Sequence, residues 1–158
     1  MNMALICMGR LKEKYWRDAA AEYEKRISRF GRFETIELPD LPEPSNSSPA
    51  IEEQIRRKEG EAILSKIRDG DIVVCLCIDG KQMDSVQLSK KLTELTDTGR
   101  RVVFVIGGSL GLSQQVVARA QVKLSFSPMT FPHQLARIML LEQTYRALKI
   151  SAGERYHK

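Results

Sequence analysis

The chain has 158 residues, of which 42% are hydrophobic and 28% charged, a composition typical of one ordinary globular domain. No apolar run approaches the roughly 20 residues that cross a bilayer, and the first residues lack a signal-peptide cleavage pattern, so we expect a cytoplasmic protein that does not enter a membrane. The net charge of +5 favours a polyanionic partner without identifying one.

The chain begins with a predicted strand, helix and strand. Residues 3–8 form an apolar run, and between Lys14 and Phe30 apolar residues recur at steps of three and four, which predicts a helix with one buried face. Residues 33–38 alternate with period two, as a strand with one wet face does. The proline- and serine-rich residues 39–50 then predict an exposed loop.

A second helix is predicted from Ser48, which suits an N-cap, and Pro49, which suits the first helical turn. The charged residues from Glu52 to Glu59 mix both signs, so we expect them to form a solvated face. The expected inner face consists of Ile51, Ile55, Ala62, Ile63 and Ile67.

Residues 71–78 are nearly all apolar, which is typical of a strand covered on both sides in a parallel sheet. The following residues, Asp79 to Lys81, predict a turn. Asp84 and Gln87 then have the spacing of a capping box, which predicts the start of a third helix.

Two more strand–helix units complete the chain. Strands are predicted at residues 102–106 and 122–127, with Ser113 as the cap of a short helix between them and Pro132 at the start of a long final helix. Strands and helices therefore alternate throughout with short connections. This order predicts an α/β fold, with a mainly parallel sheet and helices on both faces.

The three cysteines, Cys7, Cys75 and Cys77, all lie in predicted strands and do not have the CxxC spacing of a redox or zinc site. We interpret them as buried, reduced thiols and predict no metal site.

The candidate site lies where three predicted strands end. Gly107 to Gly111 (GGSLG) is neither the GxGxxG dinucleotide fingerprint nor a P-loop, but its glycines let a ligand approach backbone N–H groups. Residues 126–131 (FSPMTF) combine apolar side chains with hydroxyls, and Leu76 ends a neighbouring strand. Together they predict a pocket for a flat heteroaromatic group with a sugar, such as a nucleoside cofactor.

The final helix and tail carry further polar candidates. His133 lies at a helix start, which disfavours its protonated form. Arg137 and Arg146 interrupt an apolar helix, so each needs a partner, and a phosphate or a carboxylate across a subunit interface would serve. The tail holds Tyr156 and His157, which can exchange protons beside a nucleobase, although a terminal segment is often disordered.

Taken together, the stretches GRLKEKYWRDAAAEYEKRISRF, VVFVIGGSLGL, LSFSPMTFPHQLARIMLLEQTYRALKI and the terminal YHK closely resemble the pseudouridine N3-methyltransferases of the large ribosomal subunit, which belong to the SPOUT class. The resemblance extends nearly from end to end. Its most specific parts are FPHQLAR, QTYRA and the terminal Tyr-His pair.

The resemblance implies a single domain, residues 1–158, whose cofactor-binding region at about 72–158 is threaded into a C-terminal trefoil knot. It also implies a homodimer that binds S-adenosylmethionine between the knot loops and methylates N3 of a pseudouridine in large-subunit (23S) ribosomal RNA, within the assembled ribosome. By position, the cofactor contacts are Leu76, Gly107, Phe126, Ser127, Pro128, Met129, Thr130 and Phe131.

In such a reaction the enzyme must align the ring nitrogen with the methyl group and manage its proton. Tyr156 and His157 are candidates for assisting the proton transfer, and Arg146 or Lys158 for stabilising the developing anion. Affinity for RNA is expected from exposed cations, for which the candidates are Lys12, Lys14, Arg17 and Arg100.

Two alternatives stay open on the sequence alone. The enzyme could modify another position of ribosomal or transfer RNA. Alternatively, the chain could be a flavodoxin-like module that associates with the ribosome without catalysis.

Overall fold

A computed structural model of the protein describes residues 1–158 and shows a five-stranded sheet. The strands are β1 (Asn2–Met8), β2 (Arg32–Leu38), β3 (Ile72–Gln82), β4 (Val102–Ile106) and β5 (Val122–Ser125). The helices are α1 (Lys14–Ile27), α2 (Pro49–Leu64), α3 (Ser85–Thr96), α4 (Gln114–Arg119) and α5 (His133–Ser151), with a 3₁₀ turn at Ser28–Phe30.

All four strand pairings are parallel, in the order β2-β1-β4-β3-β5. Alternate residues of the strands point to opposite faces, and both faces are buried. One face packs with α1, α3 and α5, and the other with α2 and α4. The predicted α/β class, with helices on both faces of a parallel sheet, is therefore confirmed, whereas the trefoil knot stays a prediction.

The predicted helix caps are present. Ser48 accepts a hydrogen bond from the Ile51 N–H, and Ser113 accepts one from the Val116 N–H. Asp84 and Gln87 make both hydrogen bonds of a capping box at the start of α3. None of the helices is both long and apolar enough to cross a membrane.

One predicted boundary in the middle of the chain is wrong. Asp79 to Lys81 does not end the third strand, because β3 continues to Gln82 after its pairing with β5 is interrupted between Leu76 and Lys81. Gly80 lets β3 pair with β5 again, since a Cβ at this position would lie 2.7 Å from the carbonyl carbon of Leu124. The glycine that predicted a turn instead allows the backbones of two strands to approach closely.

Two smaller boundaries also differ. α2 ends at Leu64, so Ile67 lies beyond it, and β5 ends at Ser125 instead of Ser127.

A buried ion pair lies at the amino ends of β3 and β4. Arg101 and Asp71 approach to 2.6 Å with both side chains almost fully buried, and Arg101 also contacts Glu34 at 3.2 Å. Burial alone would raise the pKa of Asp71, but hydrogen bonds from Arg101 and from the Arg68 N–H lower it below its ordinary value. The carboxylate is therefore ionised at neutral pH and holds β3 and β4 together at the edge opposite the candidate site.

Candidate active site

A cavity of about 670 Å³, a size typical of a small-molecule site, opens at the carboxyl ends of β4 and β5. Residues 76–78 also line it, in the middle of β3, so the expectation that Leu76 ends a strand is wrong. Its walls come from this part of β3 and from the loops that follow β4 and β5. Seven of the eight predicted cofactor residues line the cavity: Leu76, Gly107, Phe126, Ser127, Met129, Thr130 and Phe131. The eighth, Pro128, is exposed and does not line it.

The glycine turn at Gly107 to Gly111 is tightly closed. The Gly111 N–H donates to the Gly108 carbonyl at 3.1 Å, and Gly111 has a positive φ of 80°. A Cβ at Gly107 would lie 2.9 Å from the carbonyl carbon of Gly111. A side chain at Gly107 would therefore displace the backbone of this wall of the cavity.

The loop after β5 is held by its own serines. The Ser125 hydroxyl donates to the Ser127 carbonyl at 3.1 Å, and the Met129 N–H donates to the Ser127 hydroxyl at 3.0 Å. These bonds shape the loop so that Phe126 lies against the cavity while Met129 remains 72% exposed.

Helix α2 supports the glycine turn from behind. A Cβ at Gly60 would lie 2.2 Å from the Ser113 hydroxyl oxygen, so only glycine allows α2 to approach the start of α4 this closely. Next to it, Glu59 is buried with 6% of its surface exposed, and its Oε1 lies 3.2 Å from where a Cβ of Gly108 would be.

The expectation that Glu59 lies on a solvated face is therefore wrong. Its carboxylate accepts the Leu41 N–H at 3.2 Å and so connects the proline-rich loop to the glycine turn. Burial raises the pKa of Glu59, nearby Asp40 raises it further, and the Leu41 hydrogen bond partly opposes both. The helical pattern could not reveal this, because the groups that cover Glu59 come from distant parts of the chain.

The two arginines of α5 each have the partner that the sequence predicts, but it is a carboxylate of the same chain instead of a phosphate or a group of a second subunit. Arg137 is buried and pairs with Glu37 at 2.7 Å while donating to the Gly9 carbonyl at 3.0 Å. Arg146 pairs with Glu142, one turn before it, at 2.7 Å. His133 lines the cavity, and burial together with Arg137 lowers its pKa, which agrees with the expected neutral imidazole.

The predicted catalytic residues form a second cluster around Glu142. The Tyr156 hydroxyl donates to Glu142 Oε1 at 3.2 Å, and its ring packs against Tyr145 with centroids 4.8 Å apart. Arg146 lies over the Tyr156 ring and reaches Nδ1 of His157 at 3.1 Å. The tail is therefore packed at Tyr156, and Glu142 is the member that sequence reasoning missed.

This second cluster does not line the first cavity. Glu142 and His157 line a neighbouring cavity of about 720 Å³, and the two cavities share Ser125 and Phe126 as a common wall. Arg100 lies further away, at the opposite edge of the sheet, where it donates to the Gly70 carbonyl at 2.6 Å.

The thiols also differ from one another. Cys7 and Cys75 are buried, and burial raises the pKa of each to about 12. Cys77 is only half-buried and lines the first cavity, contrary to the expectation that all three are buried. No cluster of His, Cys, Asp and Glu in the structure could hold a metal ion.

Comparison with known proteins relates residues 1–157 to a family described as "Predicted SPOUT methyltransferase". The chain is 51% identical to the ribosomal RNA large subunit methyltransferase H of Bifidobacterium animalis subsp. lactis. It is 52% identical to the protein of the same name from Clostridium perfringens strain 13. Each alignment covers 100% of both chains.

Among solved structures, a putative methylase family protein from Neisseria gonorrhoeae matches with a TM-score of 0.59 and 14% identity, over 99% of this chain and 86% of that one. A probable methylase family protein from Haemophilus influenzae Rd KW20 matches with a TM-score of 0.57 and 12% identity, over 99% and 70%. At these identities the two structures show that the fold is shared.

The buried Glu59 generates a prediction about stability and pH. Because its pKa is raised in the folded state, the native protein binds more protons than the unfolded chain above about pH 4.3, and stability falls as the pH rises through the folded pKa. Glu59→Gln keeps an oxygen acceptor for Leu41 but carries no charge. We therefore expect urea denaturation to show a higher midpoint than wild type at pH 7.5 and an equal midpoint near pH 4.

The exposed Glu61→Gln on the same helix is the matched control and should follow the wild type at both pH values. A Glu59→Gln protein that is destabilised equally at both pH values would contradict the assigned cause.

Proposed function

The chain belongs to the SPOUT methyltransferase family, and from this premise we propose that it transfers a methyl group from S-adenosylmethionine to large-subunit ribosomal RNA. The family match over residues 1–157 carries the proposal. Full-length relatives near 50% identity are named as methyltransferases of the large-subunit RNA, which supports the substrate. We further propose that the acceptor is N3 of a pseudouridine in the assembled ribosome, and that the enzyme works in the cytoplasm.

The first cavity fits the methyl donor. Apolar side chains of Leu76 and Phe126 offer walls for a flat adenine ring, and the glycine turn offers backbone without a Cβ in the way. When bound, S-adenosylmethionine supplies a methyl group that its sulfonium makes electrophilic. Residues 107–111 and 126–131 would hold the cofactor, and the neutral His133 at the rim adds no positive charge beside a cationic ligand.

The second cluster suits the RNA base. An arginine N–H can only donate, so its contact with Arg146 makes Nδ1 of His157 an acceptor and leaves the proton of the neutral imidazole on Nε2. His157 is then a donor toward the base. Burial and Glu142 raise the pKa of Tyr156 to about 12, so its phenol stays protonated at neutral pH.

We therefore assign His157 and Arg146 to stabilising the negative charge that develops on the base when its N3 proton leaves to solvent water. Tyr156 positions them through Glu142. Hydrogen-bond donors directed at a developing anion stabilise it without a dedicated general base. For His157, the geometry favours anion stabilisation over proton abstraction.

The knot and the homodimer are part of the same proposal. The second cavity has an apolar rim formed by Met83, Val86, Ile138 and Met139, of which Val86 is 39% exposed. A second copy of the chain would cover these side chains. Its loops would then lie near both cavities of the first copy. Such a dimer requires that the apolar rim be intact.

Two readouts on one preparation test the function. We expect calorimetric titration to show micromolar binding of S-adenosylmethionine, and methyl incorporation into large subunits to fall sharply when they come from cells that lack the pseudouridines. Gly107→Ala should weaken cofactor binding at least tenfold because its Cβ would meet the Gly111 backbone.

Gly70→Ala is the control for the glycine substitution, because nothing lies within 4 Å of a Cβ there. Wild-type protein that neither binds the cofactor nor methylates any RNA would leave a non-catalytic binding module as the better explanation. Equal methylation of subunits with and without pseudouridine would instead point to another target base.

The assignment of His157 predicts a particular pH profile. If His157 donates to an anionic base, the logarithm of kcat should rise with pH until the base itself ionises, without an earlier plateau. His157→Ala should lower kcat roughly 100- to 1000-fold, as expected for the loss of one donor to an oxyanion. His157→Gln, which retains an N–H donor, should recover part of this loss, whereas a plateau that disappears in His157→Gln would identify a general base.

The homodimer predicts a sedimentation result. Wild-type protein should sediment as a dimer, and Val86→Asp should shift it toward monomer because a carboxylate would be buried at the interface. Lys90→Asp, also exposed on α3, is the control. A wild-type monomer at micromolar concentration would rule the dimer out.

A further inference from the structure

Basic residues are concentrated directly after β1, where Arg10, Lys12, Lys14 and Arg17 occur within eight positions. Arg10 and Lys12 are exposed, and none of the ion pairs in the structure involves either of them. Lys14 differs, since it pairs with Asp18 at 2.6 Å. Arg10 and Lys12 are therefore the two cations of this segment that are free to meet a phosphate.

The segment is held in one shape by its own arginine. Arg17 donates to the Leu11 carbonyl at 3.2 Å and also to the Lys12 carbonyl, which fixes the connection between β1 and α1. A cation on an ordered connection loses little freedom when it binds a partner, so its contribution to affinity is larger.

A cleft of about 800 Å³ lies beside this segment, and Arg10, Lys12, Arg17 and Arg137 all line it. Four basic residues line the cleft against two acidic ones, Glu24 and Glu37. Glu37 pairs with Arg137, while Glu24 accepts only the neutral Thr35 hydroxyl, at 2.7 Å, and keeps its charge. The unneutralised charge of the cleft is therefore positive, which suits a polyanion.

The cleft adjoins the first cavity. Arg137 lines the cleft and the preceding residue, Ala136, lines the cavity, so the first turn of α5 separates them. β1 and β4 are parallel neighbours, so the residues after both strands lie at the same edge of the sheet. A nucleic acid that places one base at the methyl donor can thus lay its backbone along the cleft.

An exposed aromatic ring, Tyr15, lies three residues after Lys12 at the start of α1, outside the lining of the cleft. Tyr15 is 64% exposed, while its neighbour Trp16, with its ring centroid 5.1 Å away, packs against the core. Tyr23, the remaining aromatic residue of α1, also packs against the core. Tyr23 also lines the second cavity, so Tyr15 is the ring of this helix that is exposed outside the proposed transfer site.

We propose that Arg10, Lys12 and Tyr15 form an RNA-docking surface beside the transfer site, where the two cations bind backbone phosphates and Tyr15 stacks on an unpaired base of the ribosomal RNA. This inference rests on the proposed function, because it takes RNA as the substrate. A stacking ring requires a base whose face is open, so the surface selects a loop or bulge over a continuous duplex.

The charge contribution is tested by the salt dependence of binding to large ribosomal subunits. The double variant Arg10→Gln with Lys12→Gln should lower the slope of log affinity against log salt by about 0.7 to 0.9 for each phosphate that the protein no longer neutralises. Lys90→Gln with Lys123→Gln removes the same charge from exposed positions lining a different cleft, beside α3 and β5, and should keep the wild-type slope. A wild-type slope in the first double variant, or an equal decrease in both, would overturn the proposal.

The stacking contribution is tested at the same salt concentration with three substitutions of one exposed residue. Tyr15→Ala should bind large subunits roughly 5- to 150-fold more weakly, the range expected for one stacked base. Tyr15→Phe should retain the affinity and Tyr15→Leu should lose most of it, because stacking needs an aromatic ring. Wild-type affinity in Tyr15→Ala, or equal affinity of the Phe and Leu variants, would overturn the role of Tyr15.

These measurements separate the docking surface from the transfer function. All variants should bind S-adenosylmethionine as the wild type does, since none of the substituted residues lines the first cavity. Wild-type protein that binds subunits through this surface without methylating them would refute the proposed function and leave the surface standing. Wild-type protein without affinity for large subunits would refute the surface itself.

Discussion

The parallel alignment of all five strands decides where this molecule can bind a ligand. Helices cover both faces of the sheet, so open backbone is found only at its ends. At the carboxyl end, the loops after β4 and β5 and residues 76–78 of β3 surround the first cavity. At the amino ends of the strands, the buried ion pair of Arg101 and Asp71 closes the sheet. The amino ends of the strands are therefore closed by protein contacts and the carboxyl ends are open to a ligand, as is common in open α/β folds.

The site at the carboxyl ends of the strands depends on packing by residues that are distant in the sequence. Gly60 lets α2 approach the start of α4, and Glu59 then lies directly behind the glycine turn while it accepts the Leu41 N–H. Glu142 has a similar place in the second cluster, where it accepts from both Arg146 and Tyr156. In both clusters a partly or fully buried carboxylate orders the residues that meet a ligand. Arg146 and Tyr156 donate to Glu142, whereas Glu59 accepts from the Leu41 N–H alone and burial raises its pKa.

The sequence was sufficient for features with a local cause. Ser48, Ser113 and the Asp84–Gln87 pair cap helices because a cap involves residues three positions apart. Apolar runs identified four strands, and period-two alternation identified β2. The wall of the cavity was also foreseen at Gly107 and Phe126, since strand ends and glycines mark such places. What could not be foreseen has a distant cause: Glu59 is covered by the loop at Leu41, Arg137 pairs with a residue 100 positions away, and Gly80 serves a neighbouring strand.

The unequal burial of the cysteines gives the protein a built-in chemical handle. Alkylating reagents attack the thiolate, so Cys7 and Cys75, which are buried and have pKa values of about 12, are poorly reactive. Cys77 lies on the wall of the first cavity, on the stretch of β3 whose pairing with β5 is interrupted. A fluorescent maleimide would thus label one position of the native chain, and a small molecule filling the cavity would shield it, so occupancy could be followed without engineering a single residue.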